Sequence, residues 1–273
     1  MEFGPKKPRH LAPLLFGLWG AGACAAAEPP GNEPGWYVGA FGGLGAVTST
    51  SLQQRGAVFL RPPRRLPVLP INADGSTESS TDVALGGVQV GYEWNRWRLG
   101  SDWGLQPGVE LEGFYIGKHS PVGEMPVRPR FLGTQYVTVP TTAGVFLANA
   151  VFTLQTPYSD RVFPYAGVGV GVAFVSIKGS DSANPSEPGI NHFNSDSNAS
   201  DTAFAMQLKV GLKGRISQRL SLFTEYRYLS IDSTRYTFGS TDYPGLHLPT
   251  TSWHVDMGRQ QYNLFVAGLQ YKF

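Results

Sequence analysis

Cysteine is almost missing from this chain: a single residue, Cys24, occurs among 273. It lies in a segment that reads as removable, so the mature protein has no disulfide, no thiolate metal site and no cysteine nucleophile. Charge is scarce as well. Asp, Glu, Lys and Arg make up 15% of the residues and the formal net charge is only +2, which argues against nucleic acid or another polyanion as the main ligand. Also missing is any run of about 20 apolar residues, so no helix is built to span a bilayer.

What is present fits strands. Hydrophobic residues reach 41% and glycine 34 positions, yet the mean hydropathy is −0.15. Sparse charge without an apolar run is expected where apolar and small polar residues alternate and cancel in the average.

The first 27 residues have the form of an export signal. Lys6, Lys7 and Arg9 make a positive start, Leu11 to Ala23 is apolar, and Ala25-Ala26-Ala27 supplies small residues for cleavage. The rival form is a lipobox ending on a lipidated Cys24, but Ala21 stands where lipoproteins usually carry a larger aliphatic residue. Cleavage after Ala27 leaves 19 basic and 19 acidic residues in the mature chain, 28–273. That chain reads as one domain.

Segments of about ten residues alternate with polar segments rich in Pro, Gly and Ser, the pattern of strands long enough to cross a membrane. Eight are expected: Trp36–Val47, Val83–Trp94, Leu105–Gly117, Thr142–Leu154, Phe163–Ile177, Ala203–Ile216, Leu220–Asp232 and Tyr262–Phe273. The sixth separates its faces most clearly. Phe204, Met206, Leu208, Val210 and Leu212 share one side; Gln207, Lys209, Lys213 and Arg215 share the other. The first is too rich in glycine for its faces to be assigned. Links after strands two, four and six are short, whereas those near 48–82, 118–141, 178–202 and 233–261 are long. The fold expected is therefore all-β: an eight-stranded antiparallel transmembrane β-barrel with four long extracellular loops, short periplasmic turns and periplasmic termini. The link from Ser180 to Asp201, rich in Ser, Asn and Asp, is expected to be mobile.

A barrel of eight strands is just wide enough for side chains to fill it. The inward faces carry Glu93, Glu110 and Glu112 on strands two and three, and Lys209, Lys213, Arg215, Glu225, Arg227 and Lys272 on strands six to eight. Closure sets the acidic half against the basic half. Mutual pairing that blocks the lumen is the first expectation, because an unpaired charge there is costly; an ion-conducting lining is the second. Gly167, Gly169 and Gly171 are spaced by two in Val-rich sequence with no helix following, which suits inward glycines that make room for bulky neighbours rather than a phosphate loop.

Aromatic residues gather at strand ends, and four stretches carry a resemblance: Gly35-Trp36-Tyr37-Val38-Gly39-Ala40, Phe163 to Gly171, Leu222 to Tyr228, and Tyr262 to Phe273. In their order the chain resembles the opacity-type family of small outer-membrane β-barrel proteins, relatives of the barrel domain of outer-membrane protein A. The resemblance covers the strands and fades in the loops. It implies residence in the outer membrane of a Gram-negative bacterium and contact with outer-membrane lipid and lipopolysaccharide. It also implies insertion by the outer-membrane assembly machinery, which reads the C-terminal aromatic residue, here Phe273. The family shares no catalytic residues and implies no cofactor or metal.

Binding usually sits on loops. Arg61, Arg64 and Arg65 in the first long loop form a candidate patch for lipopolysaccharide phosphates or an anionic host or matrix ligand. An enzyme would need a constellation. His119, Ser120 and Glu124 supply the residue types of a hydrolase, but neighbours on a strand end point in opposite directions. His247 and His254 lack the spacing of a metal pair. The sequence is therefore read as a non-enzymatic barrel with envelope-structural and adhesin-like surface roles; a narrow porin for small solutes is the alternative and a lipid A-modifying hydrolase the third reading.

Overall fold

Strands with one apolar face and one small or polar face need two different surroundings, and a sheet closed on itself provides both. The computed structural model describes residues 33–59, 67–100 and 102–273. The export signal through Ala27, with Cys24, and the patch of Arg61, Arg64 and Arg65 lie outside the described residues.

Eight strands form the barrel: β1 Gly35–Val47, β2 Ser80–Glu93, β3 Trp103–His119, β4 Thr141–Gln155, β5 Val162–Ile177, β6 Ala199–Arg215, β7 Leu220–Ile231 and β8 Gln260–Lys272. Each pairs antiparallel with its neighbours in sequence, and β1 pairs with β8 to close the ring. Every strand lies within a few residues of its expected place. The start of β1, the end of β8 and the short links lie at one end of the barrel, where Trp97–Leu99 adds a small hairpin against the start of β3. No helix among the described residues is long and apolar enough to cross a membrane.

The expected faces hold. On β6, Phe204, Met206, Leu208, Val210 and Leu212 are exposed, whereas Gln207 and Lys209 are buried. The glycine-rich β1 now has faces too: Trp36, Val38 and Leu44 look out, while Tyr37, Phe41 and Val47 look in. Trp36, Trp94, Trp97, Trp103, Tyr271 and Phe273 are exposed near the end with the short links. There they form an aromatic girdle of the kind that marks a membrane interface.

The long links differ from expectation. They are largely folded, as a second sheet of seven strands in the order Asp181–Ala183, Thr134–Thr138, Val122–Arg128, Pro67–Thr77, Ser51–Phe59, Trp253–Met257 and Thr234–Phe238. This sheet continues the barrel wall: Thr48 N–H donates to the Gln261 carbonyl at 2.9 Å, Thr77 N–H to Thr50 at 2.8 Å, and Val139 N–H to Pro121 at 3.0 Å. The reason is a reversal of faces. Leu52, Gln54 and Val58, then Met125 and Val127, then Trp253, Val255 and Met257 point inward and are buried. Their neighbours Ser51, Gln53, Arg55, Glu124, Arg128 and His254 point outward and are exposed. In the barrel apolar residues face out; in this extension they face in, as they do in a water-soluble β-structure.

The Ser180–Asp201 link, expected to be mobile, is packed into the extension. Phe193 is fully buried and stacks on Phe238 with ring centres 4.4 Å apart. Gly239 N–H donates to the Asp196 carbonyl at 2.8 Å, and Asp242 N–H donates to the Asn194 side-chain oxygen at 2.8 Å. The link bridges the two edges of the second sheet. A buried aromatic anchor and backbone bonds outweigh the polar composition that suggested mobility.

Two glycines test the closeness of the wall. A Cβ at Gly171 would lie 1.9 Å from the Phe146 carbonyl oxygen, whereas one at Gly144 would meet nothing within 4 Å. Backbone cannot give way like a flexible side chain. Gly171→Val is expected to destabilise the barrel by about 1–3 kcal/mol and Gly144→Val to have little effect, read as the fraction of refolded chain that migrates fast on an unboiled denaturing gel.

Candidate functional site

Inside a closed wall every ionised side chain has to find its partner across the lumen, and the inward rows supply both signs. Glu110 and Glu112 alternate with outward Val109 and Leu111 on β3, and both are buried. Lys209 on β6 bonds to Glu110 and lies 3.8 Å from Glu112. Arg227 on β7 reaches Glu112 at 3.1 Å and also pairs with Glu225 on its own strand. Nearer the short links, Glu93 on β2 accepts from Lys213 of β6 at 2.6 Å and from Lys272 of β8 at 2.7 Å. These pairs set four carboxylates against four cations. Within these pairs the charges balance.

Neutral groups add to the bonding. Tyr37 donates to Glu110 at 2.9 Å and Tyr165 donates to Glu225 at 2.7 Å. Asn149 donates to Glu110 at 3.2 Å, and Gln207 donates to Asn149 at 2.8 Å and also to Glu112. Charged groups out of water need this second set of partners as much as their counter-ions. The Arg227 guanidinium also lies over the Phe41 ring, 4.2 Å from its centre. The inward glycines of β5 have the expected use. A side chain at Gly169 would run into Asn149, and one at Gly167 would crowd Lys209.

Eight of the nine expected interior residues thus pair, five of them around Lys209 and Arg227 and three around Glu93. The ninth, Arg215, is half-buried near the short-link end, where it lies over the Phe163 ring at 5.0 Å. A small cavity of about 30 Å³ lies at that end, with Glu93, Lys213, Arg215 and Lys272 in its lining. Further from the short links the inward rows carry Phe41, Phe114, Leu147, Leu229 and Leu264, all buried. Phe273 is exposed, and its backbone N–H is held by the Trp36 carbonyl at 3.0 Å.

The hydrolase constellation does not assemble. His119 is buried and faces Tyr262, whose hydroxyl is 3.4 Å from its Nε2, while Ser120 and Glu124 are exposed on the outside. A different group was missed by sequence reasoning: Glu187, His192 and His247 converge in the extension. Their distance along the chain left no local spacing to betray them.

The profile of the family described as outer membrane protein beta-barrel domain matches residues 16–273. Comparison with curated proteins finds no match. Among solved structures, the outer membrane protein OprG from Pseudomonas aeruginosa shares 14% identity over 90% of this chain and 99% of that one, with a TM-score of 0.45. The outer membrane protease OmpT from Escherichia coli shares 8% over 87% and 97%, with a TM-score of 0.42. Neisserial surface protein A shares 13% over 87% and 97%, with a TM-score of 0.37.

Arg227 is the cation shared by Glu112 and Glu225. Arg227→Met is expected to cost about 3–5 kcal/mol, the usual penalty for stranding a buried charge, measured by urea unfolding in detergent micelles. Adding Glu112→Gln and Glu225→Gln to the same chain is expected to recover most of that loss.

Proposed function

Because the chain belongs to the outer membrane protein beta-barrel domain family and its lumen is filled, we propose that it is a non-conducting, non-enzymatic barrel with envelope-structural and adhesin-like surface roles. The observation that carries this reading is the neutral network of eight paired charges beneath an apolar plug. A conducting lining would need water beside its charges, and an ion passing here would have to break pairs and then cross a layer of packed phenyl and leucyl groups.

The working surface in this reading is the extension. Barrel strands of 12 to 17 residues exceed the roughly 9–11 needed to cross a bilayer, and the second sheet prolongs them. Its outward rows are polar and its inward rows largely apolar, which suits a structure standing in water. We place it outside the cell, with the termini and short turns in the periplasm. The signal ends at Ala27. Phe273 serves the assembly machinery as the terminal aromatic residue, and the apolar belt faces outer-membrane lipid. Arg61, Arg64 and Arg65, between two strands of the extension, supply positive charge for lipopolysaccharide phosphates or an anionic host or matrix ligand.

Two measurements test the reading. Purified wild-type protein in planar bilayers is expected to give no steady conductance step; reproducible unit steps would favour the narrow porin instead. For orientation, the mature chain's lack of cysteine allows Gln53→Cys in the extension and Gln218→Cys in a short turn to be compared on intact cells. A membrane-impermeant maleimide is expected to label the first and spare the second, and the reverse pattern would invert the topology.

A further inference from the structure

Where the two edges of the second sheet fail to pair directly, Glu187, His192 and His247 bring one ligand atom each to within 4.8 Å of one another. His192 Nε2 is 3.1 Å from one carboxylate oxygen of Glu187, and His247 Nε2 is 3.4 Å from the other. Ligands bound at 2.0–2.1 Å around a tetrahedral zinc ion stand about 3.3 Å apart, so each histidine already stands at that distance from one oxygen of the shared carboxylate, and small side-chain shifts would close the set.

The far sides of both rings are held by backbone carbonyls. His192 Nδ1 lies 2.7 Å from the Ser182 carbonyl, and His247 Nδ1 is bonded to the Leu248 carbonyl. A carbonyl can only accept, so each Nδ1 donates to it, and Nε2 is the ring nitrogen turned toward Glu187. Two Nε2 atoms and a carboxylate that converge in this way are a ligand set for one cation as well as a pair of imidazole–carboxylate hydrogen bonds. A backbone carbonyl on the second ring nitrogen is also the common outer support of a metal-bound histidine. The rings are held in place by more than each other: they stand perpendicular with centres 5.3 Å apart, and His192 sits edge-on to buried Trp253 at 6.1 Å.

We propose that Glu187, His192 and His247 bind a divalent transition-metal ion of the zinc class, clamping the 181–198 link to the 239–252 link at the rim of the extension. Two imidazoles and a carboxylate suit such an ion better than calcium or magnesium, which prefer oxygen. All three residues line a cavity of about 390 Å³ whose other walls include Leu69, Phe131 and Leu248. The metal's remaining coordination position would open into that largely apolar cavity.

The test uses untagged, refolded protein in detergent, stripped of metal and titrated with Zn²⁺ alone by calorimetry. One ion per chain is expected to bind at micromolar concentration or tighter. Affinity is expected to fall by about tenfold or more in His192→Ala, His247→Ala and Glu187→Gln, and to stay unchanged in His254→Ala, outside the cluster. The unboiled gel band reports whether each variant has folded; His247→Ala carries the test should buried His192 prove indispensable for folding. Absence of saturable one-to-one binding by wild type would overturn the proposal. So would binding that survives His247→Ala in full, or that is weakened equally by His254→Ala.

Discussion

Everything in the barrel depends on pairing charge inside a closed wall. Once eight strands close, a carboxylate on β3 has no water to turn to, and its stability rests on a cation that another strand brings across the lumen. This requirement reaches well beyond the ions. Glycines line β5 because Lys209 and Asn149 need the volume that a Cβ would take. Tyrosines and amides occupy the inward places beside the glutamates because a lone ion pair leaves oxygen lone pairs unsatisfied. The phenyl ring of Phe41 sits under Arg227 where a guanidinium gains from an aromatic face. A barrel with the same outer surface and mismatched interior charges would be a poorer fold, whatever its lipid-facing residues.

Much of this was legible in the sequence, and the reason is periodicity. A row such as Gln207, Lys209 and Lys213 opposite Leu208, Val210 and Leu212 can be explained only by a strand with two environments. The residue types on each inward face followed. The partners did not: Glu110 bonds Lys209 99 positions away and Glu93 bonds Lys213 120 away, distances that only strand order and stagger resolve. Arg215 shared the inward row but sits over an aromatic ring near the mouth. The second sheet was missed for a different reason. Its strands are as short as three and five residues, interrupted by proline, and their apolar row faces the opposite way from the barrel's. The alternation of Leu52 and Gln54, Met125 and Val127, or Trp253, Val255 and Met257 was present all the same.

The extension and the barrel divide the work. The barrel is apolar outside and holds its charges inside, the extension is polar outside and largely apolar inside, and the same backbone ladder runs through both. Rigid presentation of a surface needs such continuity, since flexible loops would lose conformational freedom on meeting a partner. The link between Ile177 and Ala199 adds to this continuity, because Phe193 and its backbone bonds tie together edges that would otherwise end unpaired. The histidine cluster lies on that same seam.

The reversal of faces has a consequence for depth. Along the wall, Leu44 looks outward and Leu52 inward, so the switch falls within a few residues of Thr48 to Thr50. A rise of two residues is about 7 Å. Sinking the molecule by that step would carry Ser51, Gln53 and Arg55 toward hydrocarbon, and lifting it would hand Leu44 and its neighbours to water. The protein is thus fixed in elevation by its own sequence, and a bilayer of the wrong thickness must thin or thicken around it, because the barrel cannot slide to suit.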